Sequence, residues 1–207
     1  MNFVFDFGAV LFTWQPHELL RQHFPQVAGT HERAVALAKD FFHHPDWLAF
    51  DRGSLPMERV IARTTERLAL PGTAVASLIS NIGELLTPID ETVAVLERLH
   101  GRREGAGDVR LYFLSNMPEP YARVLEQRHA FLQWFDGGIF SGDVQQIKPE
   151  PAIYQLLQTR YALDPAQTVF IDDLQDNVDA ASRLGWRGIR FESAQQVQTH
   201  LDDLIRT

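Results

Sequence analysis

From Thr92 onward, short apolar runs alternate one by one with amphipathic helical patterns, and this alternation restricts the fold more than any other feature of the chain. The strand-like runs are Phe3–Phe7, Val109–Leu114, Gly138–Phe140, Thr168–Ile171 and Gly188–Phe191. Between and after the later ones, helical spacing covers Thr92–Arg103, Glu119–Phe131, Glu150–Tyr161, Asn177–Leu184 and Ala194–Ile205. Single strands separated by helices predict a parallel sheet covered on both faces, and near-continuous apolar strands are what such burial requires. The expected class is therefore α/β, a Rossmann-like parallel sheet with helices on both faces.

One interval breaks the rhythm. Between Trp14 and Thr87 the sequence contains helical stretches at His17–Phe24, His31–Phe42, Pro56–Ala69 and Thr73–Leu86, with no convincing strand. The segment Arg52-Gly53-Ser54-Leu55-Pro56 reads as a turn into a helix, with Pro56 in its first turn. Residues 14–87 are expected to form a small helical cap over one end of a core made of residues 1–13 and 88–207. Gly101–Asp108 reads as a short polar loop.

Composition removes several alternatives. The chain has 207 residues and no cysteine, which excludes a disulfide framework, thiolate metal sites and a cysteine nucleophile. Asp6 interrupts the first apolar run and no basic residue precedes it, so that run does not read as a signal peptide. No apolar stretch approaches the ~18 residues of a membrane span. With a net charge of −8 and no basic cluster beyond Arg102-Arg103, nucleic acid is not an expected partner. A cytoplasmic enzyme or binding protein is the expectation.

In open α/β sheets, ligands bind beyond the carboxyl ends of the strands, so the residues there carry the functional reading. The first run, FVFDFGAVLF, holds Asp6 among apolar residues, with Gly8 two positions on. The second ends in Ser115-Asn116, the stretch after the third leads to Lys148, and the fourth ends in Asp172-Asp173, with Asp176 beyond. Taken singly, each has a structural explanation: a turn cap, a helix N-cap, a solvated lysine. Together they make an odd set of caps. Lys148 is also one of only two lysines, Lys39 being the other, among 19 basic residues. Clustered carboxylates repel one another unless a cation joins them, and an all-oxygen set suits Mg²⁺, which commonly bridges carboxylates to a phosphate. A hydroxyl, an amide and a lysine would complete a phosphate cradle. Asp6 would then stand as a nucleophile able to form an aspartyl-phosphate.

These segments resemble the haloacid dehalogenase superfamily over essentially the whole chain: FDFGAVLF, LSN, KPEPAIY and FIDDLQDNVDAASRLG stand in the expected order and spacing. The helical interval after the first of them looks like a type-1 cap. The resemblance implies Asp6 as nucleophile and Mg²⁺ ligand, and the Gly8 carbonyl as a second ligand. It implies Ser115 and Asn116 as phosphoryl-binding residues, Lys148 as the neutralising cation beside Asp6, and Asp173 as the main acidic ligand supported by Asp172. RGSLP, SN, KPE and DDLQDN also resemble a bacterial subgroup of α-glucose-1-phosphate phosphatases. The implied function is Mg²⁺-dependent hydrolysis of a small phosphorylated metabolite, a sugar phosphate in that subgroup. Two alternatives stay open: a catalytically weak phosphate-ligand-binding protein on the same fold, and a 2-haloacid dehalogenase, against which the paired aspartates argue.

One position departs from the family pattern. Its phosphatases usually carry a second Asp two residues after the nucleophile, as acid and base; here that residue is Gly8. Either the leaving group is easily expelled, as an anomeric sugar oxygen is, or a water or a cap residue supplies the proton. Trp14, His17, His43, His44, Trp47 and Arg52 are the polar or aromatic candidates in the cap.

Overall fold

The computed structural model describes residues 1–106 and 109–205. Five strands, β1 (Asn2–Phe5), β2 (Arg110–Ser115), β3 (Gly137–Phe140), β4 (Thr168–Asp172) and β5 (Arg187–Arg190), form one parallel sheet in the order β3-β2-β1-β4-β5. Chain order runs outward from β1 in both directions. The gap between β1 and β4 is therefore the switch point at which such sheets bind ligands. Register lines up the ends that matter: Phe5 pairs with Phe113 on one side and Ile171 on the other. Asp6, Ser115 and Asp172 consequently leave the sheet along one edge.

Alternation along β1 explains the two cores. Phe3 and Phe5 enter one apolar cluster, shared with α6 (Asp90–Ala106), α7 (Glu119–Arg128) and α11 (Ala194–Ile205). Val4 points into the other, shared with α9 (Pro151–Arg160) and α10 (Gln175–Arg183). Successive side chains of a strand face opposite ways, so a run apolar on both faces can only lie between two helical layers.

Between β1 and α6 lie five helices: α1 (Pro16–His23), α2 (His31–Phe42), α3 (Pro45–Asp51), α4 (Met57–Leu68) and α5 (Gly72–Leu85). Aromatic packing ties them together, with Trp47 meeting Phe41, Phe42 and Phe50 edge-on or tilted. Helix α3 and the short α8 (Ser141–Val144) are additions to the elements expected from sequence. The reason is length: seven and four residues are too few for a 3.6-residue period to repeat convincingly. The expected loop Gly101–Asp108 is a correction, because α6 continues to Ala106; residues 107–108 lie outside the described residues. Among the described residues no helix is long and apolar enough to cross a membrane.

Candidate active site

Asp6 follows directly on β1 and is almost fully buried. Its Oδ1 accepts the Phe7 N–H at 2.7 Å and lies 2.8 Å from Lys148 Nζ. Burial pushes its carboxyl up to about 7, against the pull of the Lys148 ammonium. The lysine, also buried, donates at 2.6 Å to Asp172 Oδ2, so one ammonium bridges the ends of β1 and β4. Asp172 has no solvent exposure and is saturated with donors: the Asn177 amide contacts both its oxygens at 3.0 Å, and the Leu174 N–H reaches Oδ1 at 2.9 Å. Two carboxylates about one ammonium satisfy the rule that buried charge must be paired and hydrogen-bonded.

Lys148 comes from beyond β3, and something must carry its loop across β2. Asn116 does this. Its amide donates to the Lys148 carbonyl at 3.0 Å and its Oδ1 accepts the Lys148 N–H at 2.8 Å. The Asn116 side chain thus holds the lysine's main chain, and the residue also lines the cavity. Ser115, at the buried end of β2, lines the same cavity.

Asp6, Asp172 and Asp173 each offer a carboxylate oxygen, all within 4.8 Å of one another. Asp173 is less buried, and burial followed by the Asp172 charge pushes its carboxyl up to about 6. Three hard oxygen donors at this spacing, two of them reluctant to ionise, fit a small divalent cation such as Mg²⁺. The Asp172 oxygens are also engaged by Lys148, Asn177 and the Leu174 N–H.

Above this floor opens a cavity of about 850 Å³ that reaches Asp6, Gly8, Ser115, Asn116, Lys148, Asp173 and Asp176. Its walls are largely apolar. Trp14, Phe42, Trp47 and Leu48 come from the helical insertion, Ile82 and Leu86 from α5 and its end, and Met117, Tyr121 and Leu174 from the core loops and α7. Of the residues expected in the roof, Trp14, His43 and Trp47 line the cavity, whereas His17, His44 and Arg52 are not among the lining. His17 stacks edge-on with His31, and His44 caps α3 by accepting the Asp46 N–H. The Arg52 guanidinium grips both Glu150 oxygens, at 2.9 and 2.5 Å. Besides the apolar wall, the sequence left unassigned Asn177, present in the DDLQDN segment as an amide beside acids, and Ser141 and Asp51, on the two short helices.

Comparison with known proteins agrees with this geometry. A family model described as haloacid dehalogenase-like hydrolase matches residues 3–185. A sesquiterpene phosphatase of Aspergillus oryzae is 26% identical over 203 residues, covering 98% of this chain and 95% of its own. A haloacid dehalogenase family enzyme from Bacteroides thetaiotaomicron, solved with magnesium and inorganic phosphate, superposes with a TM-score of 0.69 at 18% identity, covering 92% of this chain and 93% of that one. The L-2-haloacid dehalogenase of Xanthobacter autotrophicus shares the fold as well, with a TM-score of 0.65 at 19% identity over 91% of this chain and 76% of its own. With the family match running from the first strand through the turn after α10, this chain belongs to the haloacid dehalogenase-like hydrolases.

Proposed function

We propose that the protein is a Mg²⁺-dependent phosphomonoesterase that passes a phosphoryl group through Asp6. In this reading residues 14–87 form a type-1 helical cap on a core of residues 1–13 and 88–207. The observation that carries it is the buried Asp6–Lys148–Asp172 bridge beside Asp173, at the floor of one cavity. The relative named a phosphatase and the neighbour solved with magnesium and phosphate support it.

Asp6, Asp173 and the Gly8 carbonyl would hold Mg²⁺, with Asp172 orienting the set; when bound, the ion offsets the charge of the phosphate and of the clustered carboxylates. Both donors to Asp6 engage Oδ1, which leaves Oδ2 as the attacking oxygen. Lys148 favours the ionised carboxylate against the effect of burial, holds it in register, and faces the negative charge that builds on the phosphoryl oxygens. Ser115 donates its hydroxyl to that group. Asn116 keeps the lysine loop in place through two hydrogen bonds to its backbone.

The substrate is a small phosphorylated metabolite. Gly8 and the resemblance to glucose-1-phosphate phosphatases support a sugar 1-phosphate, whose anomeric oxygen leaves readily. The cavity walls favour a second reading, an ester of an apolar alcohol. Leu48 and Leu174 keep 39% and 57% exposure there, and few side chains of the wall could bind sugar hydroxyls. A phosphatase panel with and without Mg²⁺ decides, comparing sugar 1-phosphates, sugar 6-phosphates and phosphates of apolar alcohols. Absence of Mg²⁺-dependent turnover of any ester would leave a binding protein. Halide release from 2-haloacids without metal would replace the reading with dehalogenation.

A further inference from the structure

Gly8 provides no acid for the leaving oxygen, yet a residue with a carboxyl group lines the same cavity from the helical insertion. Two carboxyls of the lining stand outside the Asp6–Asp172–Asp173 cluster. Asp176 is exposed in the first turn of α10, on the same floor as the cluster. Asp51 is the last residue of α3, among Trp47, Tyr121 and Met117.

The end of α3 is clamped to the core. Ser141 donates its hydroxyl to the Asp51 carbonyl, and the same oxygen accepts the Met117 N–H at 2.8 Å, one residue beyond Ser115-Asn116. Gly53, at φ +78°, lies so close to α8 that a Cβ there would come 2.5 Å from the Gly142 carbonyl oxygen. Arg52 binds Glu150, two residues after Lys148. Asp51 is thus held against the two loops that carry the phosphate-facing residues, although its helix belongs to the insertion. Asp51 is half-buried on the cavity, and the protein packed around its carboxyl pushes it well above the usual carboxylate range, against a hydrogen bond with Trp47. The Tyr121 hydroxyl, its polar neighbour on α7, is committed to the Ile79 carbonyl at 2.6 Å.

We propose that Asp51 is the proton donor to the leaving oxygen, doing from the helical insertion what an acid at position 8 would do from the first strand. The assignment rests on the phosphomonoesterase reading. As Asp6 Oδ2 forms its bond to phosphorus, the bond from phosphorus to the ester oxygen breaks. The electron pair stays on that oxygen, which takes the Asp51 proton and departs as the alcohol. The Asp51 carboxylate then accepts a proton from the water that attacks the aspartyl-phosphate, so phosphate is released and both carboxyl groups regain their starting states. An acid in this place lifts the demand for an activated leaving group, which makes esters of ordinary apolar alcohols compatible with Gly8.

The test is first-turnover kinetics with Mg²⁺ across aryl and alkyl phosphates of graded leaving-group acidity, for wild type and Asp51→Asn. For Asp51→Asn, p-nitrophenyl phosphate should react within a few-fold of wild type, since nitrophenolate leaves unaided. Alkyl phosphates should slow by ~10²–10⁴-fold, the range of general acid catalysis, so dependence on leaving-group acidity steepens. Thermal unfolding followed by circular dichroism reports the folded fraction of each preparation, and rates are compared per folded protein. Gly8→Asp added to Asp51→Asn should restore alkyl ester cleavage: a Cβ at Gly8 meets only Trp14, at 3.8 and 3.9 Å, and the glycine is outside the left-handed region. An equal loss for all esters, or no loss, overturns the donor while p-nitrophenyl turnover still upholds the phosphatase. A wild type that cleaves no phosphate ester removes the phosphatase reading, and the donor falls with it.

Discussion

The floor and the roof of the cavity are built on opposite principles. The floor is polar and closed upon itself: Lys148, Asp6, Asp172 and Asn177 bind one another in a buried network. The roof is aromatic and aliphatic, with Asp51 as its carboxyl. A buried ionic network is costly unless every member is satisfied, so its residues tolerate little exchange. An apolar wall needs only volume and shape, and many sequences provide that. In the proposed reading the floor handles the phosphoryl group, while the roof meets the alcohol part of the ester and supplies the Asp51 carboxyl to its oxygen.

Breaking the floor should have the largest effect. Asp6→Asn is expected to bring turnover to background with the fold intact, measured by phosphate release beside thermal unfolding; near-wild-type activity would remove the nucleophile. The same variant reports the cost of the buried charge. The folded protein keeps a proton on Asp6 until about pH 7, whereas the unfolded chain gives it up near 3.8. Without metal, that site's stability is fully present below about pH 4 and declines as pH rises to about 7. The thermal midpoint of Asp6→Asn relative to wild type should therefore rise across this window in EDTA. A difference that stays flat would show that Lys148 already compensates the ionised carboxylate.

Next comes the bridge. Lys148→Ala should cost roughly 10²–10³-fold in kcat, the scale of losing one preorganised electrostatic group. Lys148→Arg should also be impaired, because a larger planar guanidinium has to enter a buried space in which a single ammonium nitrogen meets both carboxylates, at 2.8 and 2.6 Å. Asp172→Ala should cost on the order of 10–100-fold, as for groups that orient a metal's ligands. Asp173→Ala should instead raise the Mg²⁺ concentration needed for half-maximal activity. Identical Mg²⁺ titrations for Asp173→Ala and wild type would dissolve the metal assignment.

Changes to the apolar side chains of the roof, in contrast to Asp51→Asn, should be smaller and selective. Leu48→Ser is expected to raise KM for a long-chain alkyl phosphate by about tenfold, the scale of lost methylene contacts in an apolar pocket, with unchanged Mg²⁺ dependence. An equal change for sugar 1-phosphates would remove the distinction between wall and floor. Smallest of all, Arg52→Ala breaks a partly exposed ion pair and should cost about 1 kcal/mol or less in thermal unfolding.

How much of this was legible varies along the chain in the same way. The strands at Phe3, Val109, Gly138, Thr168 and Gly188 were readable within a residue or two, because a parallel strand buried on both faces leaves a continuous apolar run. The polar residues at their ends stood out against that background. Asn116 was located by sequence and its contact was not: nothing local distinguishes an amide facing phosphate from one bonded to a lysine's backbone 32 residues away.

By itself, then, the sequence determined the α/β class and the floor, since period, order and the chemistry of strand-end residues are local properties. Tertiary structure alone decided the roof. Helix α3 has too few turns to announce itself, and Asp51 is an ordinary surface acid until Ser141, Arg52 and Gly53 press it against the core. What makes it chemically distinct is loss of water, and burial is a property of the packed chain and never of a residue read alone.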